Sequence, residues 1–187
     1  MVIVHRAFGK AYDESARLVR AAPSPSPARV MFLAGHIDFA VAMLDVHHEG
    51  EDELLYPELI GRVRDQAPMT EEVEHEHRLI KAALDAAAAL GQLNVVTRRH
   101  LDDEEQEVVP LAAVTLTRQE WDALGKHGVA QIPRNKRDVA FGMILDPLGE
   151  DDRGYMMRVL PAPVRMLSSF LIGRPWNRYA STLRAGT

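Results

Sequence analysis

The chain carries the stretch HHEGEDELLYP at residues 47–57, and a similar pattern of residues recurs at 100–110 as HLDDEEQEVVP. Each copy has a histidine four residues before a glutamate, and a proline six residues after that glutamate. Residues four apart on an α-helix lie one above the other, about 6 Å apart. The doubled stretch therefore predicts two helices, each of which projects a histidine and a glutamate from the same face.

The residue types in the two copies indicate metal binding. Neutral imidazole is a good nitrogen ligand, and a carboxylate can bridge two cations. One pair is His47 with Glu51, and the other is His100 with Glu104. If the two pairs face each other, they supply a symmetric half of the ligand set of a two-metal centre. The alternative is an ordinary solvated helix face, because further acidic residues crowd both segments. A single pair is a weak signal, whereas two copies with the same proline spacing are much more specific.

Two further histidines fit a centre to which four helices contribute one histidine each. His5 and His47 lie at similar distances from a proline-rich turn, so an antiparallel hairpin brings them to one level. His77 follows Glu76 on the predicted third helix. The other histidines are expected outside the centre: His36 as a buried polar group near Tyr12, His48 off the site beside His47, His75 turned away from His77, and His127 exposed in a loop.

Apolar residues at helical spacing, interrupted by proline and glycine, predict an all-α protein. The main helices are predicted at about residues 3–21, 28–63, 70–90 and 93–109, with Pro57 kinking or ending the second and Pro110 ending the fourth. Shorter helices are predicted at 117–124, 137–144, 162–172 and 175–184. The short turns indicate an up-and-down antiparallel four-helix bundle over residues 1–112. Residues 113–187 then form a C-terminal helical extension packed on the bundle.

Composition narrows the classes of function. The 187 residues are 47% hydrophobic and 26% charged, which suits a packed core rather than disorder. The net charge of −5 argues against nucleic-acid binding, which favours a basic face. The absence of cysteine excludes disulfides and thiolate ligands, so a metal would need imidazole and carboxylate. No signal peptide and no run of about 18 apolar residues is recognisable, so no transmembrane segment and a cytoplasmic location are expected.

The same residues resemble a known family. His5, the stretch 47–57, Glu76-His77 and His100-x-x-x-Glu104-Glu105 are similar to the hemerythrin-like, HHE cation-binding domain, over about residues 1–112. The stretch HHEGEDELL resembles an actinobacterial subgroup of it. The resemblance implies a four-helix bundle with an oxo- or hydroxo-bridged, non-haem di-iron centre. It also implies a role for each matched residue: Glu51 and Glu104 as bridging carboxylates, and His5, His47, His77 and His100 as terminal ligands.

The sequence departs from the family pattern at one ligand. Hemerythrins proper carry five histidines, two of them four residues apart on the third helix, whereas here Val73 stands four residues before His77. Glu74, three residues before His77, is the predicted substitute, because Glu-x-x-His is an arrangement of di-metal carboxylate bundles. The alternative for Glu74 is an ordinary solvated glutamate. The departure leaves coordination number and reversible oxygen carriage open.

The C-terminal extension carries an apolar face that is predicted to pack on the bundle. An apolar ligand, a protein partner or a membrane surface are the alternatives for it. The face comprises Met156, Met157, Leu160, Val164, Met166, Leu167, Phe170 and Leu171.

The function predicted from these features is a di-iron protein that handles dioxygen, nitric oxide or peroxide. If it is an enzyme, it is a peroxide- or nitric oxide-consuming oxidoreductase. One alternative is a metal-free helical bundle that serves as a binding module through the apolar C-terminal segment. Another is a mononuclear or zinc site.

Overall fold

The computed structural model describes residues 1–21, 25–63, 76–78, 80 and 90–185. Helices account for most of these residues, and no strand occurs among them, so the predicted all-α class is confirmed. Most of the predicted third helix lies outside the described residues, although 76–78 are helical.

The helices follow one another through short connections. They are α1 Val2–Arg20, α2 Pro27–Gly50, α3 Tyr56–Arg62, α4 Leu90–Asp103, α5 Val109–Thr115, α6 Arg118–Gln131, α7 Arg137–Leu145, α8 Glu150–Val159, α9 Ala162–Met166 and α10 Arg174–Arg184. Three π-helical segments join some of them: π1 Glu51–Leu55, π2 Glu104–Val108 and π3 Ser169–Gly173. A short 3₁₀ turn, Arg134–Lys136, precedes α7.

The segments π1 and π2 occupy equivalent places in the doubled stretch, since each begins at the glutamate of a His-x-x-x-Glu pair. The backbone N–H of Tyr56 donates to the carbonyl of Glu51, and that of Val109 donates to the carbonyl of Glu104. These bonds span five residues instead of four, so one extra residue is inserted into the helix at each site. The sequence repeat is thus also a repeat of local structure.

The prolines of the doubled stretch begin helices here. Pro57 and Pro110 each lie in the first turn of the helix that follows a π-helical segment. Proline is tolerated there because the π-helical segment before it already departs from the regular four-residue hydrogen bonding that a proline would interrupt. The prediction that Pro110 ends the fourth helix is therefore wrong, since the chain continues helically into α5.

The chain divides into two compact units. The first unit comprises Met1 and Val41–Gln131, and the second comprises Val2–Ala40 and Ile132–Thr187. In the first unit, α3 packs against π1 and α5, and α6 packs against π1. Its apolar core contains Leu55, Tyr56, Leu59, Val108 and Ala112. The burial of these side chains stabilises the two π-helical segments that carry the glutamates.

In the second unit, α7 packs against both α1 and α10. A Cβ placed on Gly142 would lie 2.5 Å from the Cβ of Trp176, so only glycine allows this approach of α7 to α10. An apolar cluster of Leu18, Leu33 and Leu183 joins α1, α2 and α10. Both units thus combine helices from either side of residue 112, and the predicted division into 1–112 and 113–187 stays a prediction.

The helix α6 is longer than predicted. The backbone N–H of Thr117 donates to the Glu120 carboxylate, and the N–H of Glu120 donates to the Thr117 hydroxyl, which caps the helix as a capping box. The helix continues through Gly125, where an end was predicted, to Gln131. His127 consequently lies on a helix, with its Nδ1 3.9 Å from a Glu53 oxygen, and the prediction of an exposed loop histidine is wrong.

The predicted apolar helix at 162–172 is divided between α9 and π3. Met166, Leu167, Phe170 and Leu171 are exposed, whereas Ile172 is buried. The change from α-helical to π-helical geometry rotates successive side chains relative to a regular helix, so the predicted face is not continuous. The prediction that Met166, Leu167, Phe170 and Leu171 pack on the bundle is therefore wrong.

Among the described residues, the helical run Pro27–Arg62 is long and apolar enough to cross a membrane by length and composition alone. A core helix of a water-soluble protein passes the same test, so the observation is weak. The expected absence of a transmembrane segment stays a prediction.

Candidate metal centre

Two buried glutamates form the middle of a polar cluster in the first unit. Glu51 begins π1 and Glu104 begins π2, and neither side chain is exposed to solvent. His77 Nε2 lies 4.0 Å from an oxygen of Glu51 and 3.9 Å from an oxygen of Glu104. Both carboxylates therefore face one imidazole within the protein interior.

Each glutamate also lies beside the histidine of its own pair. His47 Nε2 is 3.2 Å from Glu51 Oε1, and His100 Nε2 is 3.6 Å from Glu104 Oε2. Ligand atoms of His47, Glu51 and Glu104 all lie within 4.8 Å of one another. The two halves of the doubled stretch therefore come together in one cluster.

The outer nitrogens of two cluster histidines are held by carboxylates. His77 Nδ1 lies 2.9 Å from Asp52 Oδ1, and His100 Nδ1 lies 3.0 Å from Glu76 Oε2. A carboxylate accepts the Nδ1 proton, so Nε2 of the neutral ring presents its lone pair. Metal-ligating histidines are oriented in this way, by an acceptor on the nitrogen that does not bind the metal.

The inner nitrogens of these two rings approach each other closely. His77 Nε2 and His100 Nε2 are 3.1 Å apart. If both rings keep their protons on Nδ1, the two lone pairs face each other and repel. A proton or a cation between them removes that repulsion, so this arrangement favours a positive charge at the centre.

His48 belongs to this cluster, although it was expected off the site. Its ring is 5% exposed, stacks on His77 with centroids 4.0 Å apart, and meets His100 edge-on at 5.0 Å. Adjacent side chains on a helix diverge by about 100°. Two adjacent residues therefore cannot both face a narrow interface between helices, but both can reach a wide site. Here His47 contacts Glu51, and His48 contacts the other histidines.

A tyrosine is a further partner of Glu104. The buried Tyr56 hydroxyl donates a hydrogen bond to Glu104 Oε1. Burial, followed by the negative charges of Glu104 and Glu51, raises the pKa of Tyr56. The hydroxyl therefore stays protonated and remains a donor.

The electrostatics of the cluster call for positive charge. Burial, followed by the facing carboxylate of Glu104, raises the pKa of Glu51 well above its usual value. Burial lowers the pKa of His77, but the carboxylates of Asp52 and Glu104 outweigh it and raise that pKa to about 9. Neither Glu51 oxygen accepts a hydrogen bond within the described part of the chain. Two such oxygens in a dry interior are stabilised by a bound cation.

Comparison with known families agrees with this geometry. A family model described as the hemerythrin HHE cation-binding domain matches residues 1–112. The chain belongs to the hemerythrin HHE cation-binding family. No curated protein and no solved structure gave a match. Membership indicates cation binding, and the buried histidine and glutamate cluster of this HHE domain fits a metal site.

The predicted ligands of this HHE domain do not all lie together in the structure. It brings together five of them: His47, Glu51, His77, His100 and Glu104. His5 is buried on α1, within the second unit, and its part in the centre stays a prediction. Glu74 and Val73 lie outside the described residues. His36 is buried, as expected, but its Nδ1 pairs with the Tyr179 hydroxyl at 2.9 Å rather than with Tyr12.

Sequence reasoning missed four members of the HHE cluster: His48, Asp52, Tyr56 and Glu76. Asp52 and Glu76 resemble solvated helix residues in sequence, and only the positions of His77 and His100 reveal them as partners. Tyr56 did carry a signal, because a large aromatic residue beside the proline of the doubled stretch is placed one turn beyond Glu51.

Proposed function

We propose that this HHE domain holds a pair of non-haem iron ions and binds a small ligand there, such as dioxygen, nitric oxide or peroxide. The observation that carries the proposal is the burial of Glu51 and Glu104 against the same imidazole, His77. Two carboxylates in a dry interior can bridge two cations, and imidazoles complete the ligand set.

The chemistry of the donors is compatible with iron. Imidazole nitrogen and carboxylate oxygen suit iron, manganese and zinc, and the chain has no cysteine to favour a thiolate site. His47, His77 and His100 are the proposed terminal ligands, and Glu51 and Glu104 the proposed bridges. His5 remains a predicted ligand of the same centre, and Glu74 remains the sequence's candidate for the position of the missing fifth histidine, with an ordinary solvated glutamate as the alternative.

The residues around the cluster suit a small apolar or weakly polar ligand. Leu55 and Val108 belong to the same π-helical segments as the two glutamates and, with Leu59 and Ala112, form a buried apolar cluster that restricts water. The Tyr56 hydroxyl is a buried hydrogen-bond donor beside Glu104. The iron pair would supply an open coordination position for the ligand, and Tyr56 would hold Glu104 in one orientation.

The first test is metal analysis of protein produced in iron-supplemented cells. We expect about two irons per chain, as for a two-metal site, with an absorption band in the near ultraviolet. Glu51→Gln and Glu104→Gln should each lower the iron content sharply. Glu107→Gln is the matched control, since Glu107 lies in the same π2 segment but is exposed.

Spectra of the loaded protein under dioxygen, nitric oxide and peroxide then identify the ligand. A spectral change that reverses on removal of the ligand indicates binding, whereas steady consumption of peroxide or nitric oxide indicates an oxidoreductase. Metal-free protein whose thermal stability does not respond to added iron would overturn the proposal in favour of a metal-free binding module. One zinc per chain would favour a mononuclear site instead.

A further inference from the structure

His48 has the position and the burial of a metal ligand. It lies two residues before the end of α2, and its ring is almost completely enclosed by the first unit. Its ring contacts include His77 face to face and His100 edge-on, both of which belong to the proposed centre.

The nitrogens of the three rings converge. Ligand nitrogens of His48, His77 and His100 lie within 4.8 Å of one another. An imidazole nitrogen binds a first-row divalent ion at roughly 2.1 Å, so two neighbouring ligands at a right angle have nitrogens about 3 Å apart. The 3.1 Å between Nε2 of His77 and Nε2 of His100 already matches that spacing. To place a third nitrogen on the same ion, His48 must also tilt out of its stack on His77, because the two rings are only 13° from parallel.

The carboxylates of Asp52 and Glu76 favour a metal on the inner side of the His77 and His100 rings. Asp52 and Glu76 hold the Nδ1 atoms of His77 and His100, so both Nε2 atoms are aimed inward. Orientation by such outer acceptors is the usual arrangement around a ligating histidine. The three-histidine group, His48, His77 and His100, therefore resembles one complete face of a coordination sphere.

We propose that His48, together with His77 and His100, supplies the three imidazole ligands of one of the two cations. This inference rests on the proposed function. His48 would then take the ligand position that the sequence assigned to Glu74. Because imidazole is neutral, the ligand set would carry only the charges of Glu51 and Glu104, and the metal pair would keep a higher net positive charge than with a third carboxylate.

The test compares His48→Ala, His48→Gln, Glu74→Gln and His127→Ala. His127 is the matched control, because it is a half-buried histidine of the same unit that lies beside Gly50, two residues beyond His48. Each variant is prepared metal-free and titrated with ferrous iron without oxygen, and its iron content and X-ray absorption spectrum are recorded. Circular dichroism of the metal-free proteins checks that each variant is folded.

We expect the His48 variants to lose one of the two irons, or to bind it at least tenfold more weakly, with fewer imidazole nitrogens per iron in the absorption spectrum. Glu74→Gln and His127→Ala should keep both irons. Added imidazole should restore the second iron to His48→Ala by entering the vacated space, which a purely structural role of His48 would not allow.

Two irons at wild-type affinity in both His48 variants, with an unchanged imidazole count, would overturn the inference while leaving the proposed function intact. Loss of an iron from Glu74→Gln alone would do the same and would assign the position to Glu74. A wild-type chain that binds no metal would overturn the proposed function and, with it, this inference.

Discussion

The first unit contains fully buried carboxylates and the second unit contains partly buried ones, and the two units neutralise them differently. In the second unit, Glu14 and Asp146 lie beside Arg184, whose guanidinium donates to Glu14 at 2.7 and 3.1 Å and to Asp146 at 2.8 Å. Lys10 and the indole N–H of Trp176 also donate to Asp146. The positive charges in this unit come from the chain itself.

In the first unit, the groups beside the buried carboxylates are imidazoles, a hydroxyl and the buried amino terminus of Met1, whose own pKa burial lowers. Glu51 lies beside His47 and His77, and Glu104 beside His77, His100 and Tyr56. The pKa values follow this difference. Burial raises the pKa of Glu51, whereas burial of Asp146 is outweighed by hydrogen bonds from Lys10, Trp176 and Arg184, which lower its pKa.

The comparison separates two uses of buried charge. The carboxylates of the second unit are neutralised by donors of the chain itself, and these contacts stabilise the fold without an added ion. Those of the first unit are only partly balanced by imidazoles, a hydroxyl and the Met1 amino terminus, so a bound cation would stabilise them further. The predictions that follow test whether each unit behaves according to its own charge balance.

The largest effect is expected from Gly142→Ala, which probes the packing of the second unit. The new Cβ would overlap the Trp176 side chain, so we expect a loss of about 3 kcal/mol in the free energy of unfolding. The loss should be the same with and without iron. Gly125→Ala is the control, because a Cβ there meets no described atom within 4 Å and should stabilise α6 by up to about 1 kcal/mol. Chemical denaturation measures both, and equal stabilities would show that α7 and α10 do not approach as described.

A smaller effect is expected from Tyr56→Phe in the first unit. The change removes the hydrogen bond to Glu104 and leaves a buried carboxylate oxygen with one partner fewer. A bond to a charged group is worth about 2 kcal/mol, so metal-free protein should lose about that much stability. Iron should restore most of it, since a cation replaces the lost donor. A loss that iron leaves unchanged would contradict the role given to Tyr56.

Arg184→Ala tests the internal charge balance of the second unit. The substitution leaves Glu14 and Asp146 without their guanidinium partner. We expect a loss of about 1.5 kcal/mol, reduced from a fully buried pair because the Arg184 side chain is partly exposed and screened by solvent. Arg118→Ala, which removes an exposed pair with Asp122, is the control and should change stability far less. Iron content should be unaffected by either change.

The same charge balance predicts a pH dependence. Burial of Glu14 is outweighed by Arg184 and Lys10, and the pKa of Glu14 falls below 4.5, while the pKa of Asp146 falls below 3.8. A lowered pKa means that the stabilisation is complete above the unfolded value and is lost as pH falls through the folded value. Wild-type stability should therefore fall more steeply below about pH 4.5 than that of Asp146→Asn. Parallel curves between pH 3 and 6 would contradict the assignment.

The sequence predicted the residue pairs of the centre because a period of four residues determines the helix face. His47 with Glu51 and His100 with Glu104 needed nothing beyond that geometry. The all-α class followed in the same way from apolar spacing and from the prolines that separate helices.

Other features depend on tertiary structure and have no period in the sequence. The π-helical segments at Glu51 and Glu104 each insert one residue without changing the local residue pattern. Because the sequence does not reveal them, Pro110 was predicted to end the fourth helix. His48 was predicted to lie off the metal site because it diverges from His47 around the helix axis. That divergence excludes a neighbouring residue only from a narrow site. The positions of Asp52 and Glu76 opposite His77 and His100 depend on how separate helices meet.

The central claim is that the first unit is built around charges that a cation completes. Its most direct test is the free energy of unfolding of wild type and Glu51→Gln, each metal-free and with ferrous iron. We expect Glu51→Gln to be at least as stable as wild type without metal, because a buried charge is removed. Iron at a thousandfold excess over its dissociation constant should stabilise wild type by about 4 kcal/mol and the variant far less. A metal-free variant that is less stable than wild type, with no stabilisation of wild type by iron, would contradict the account.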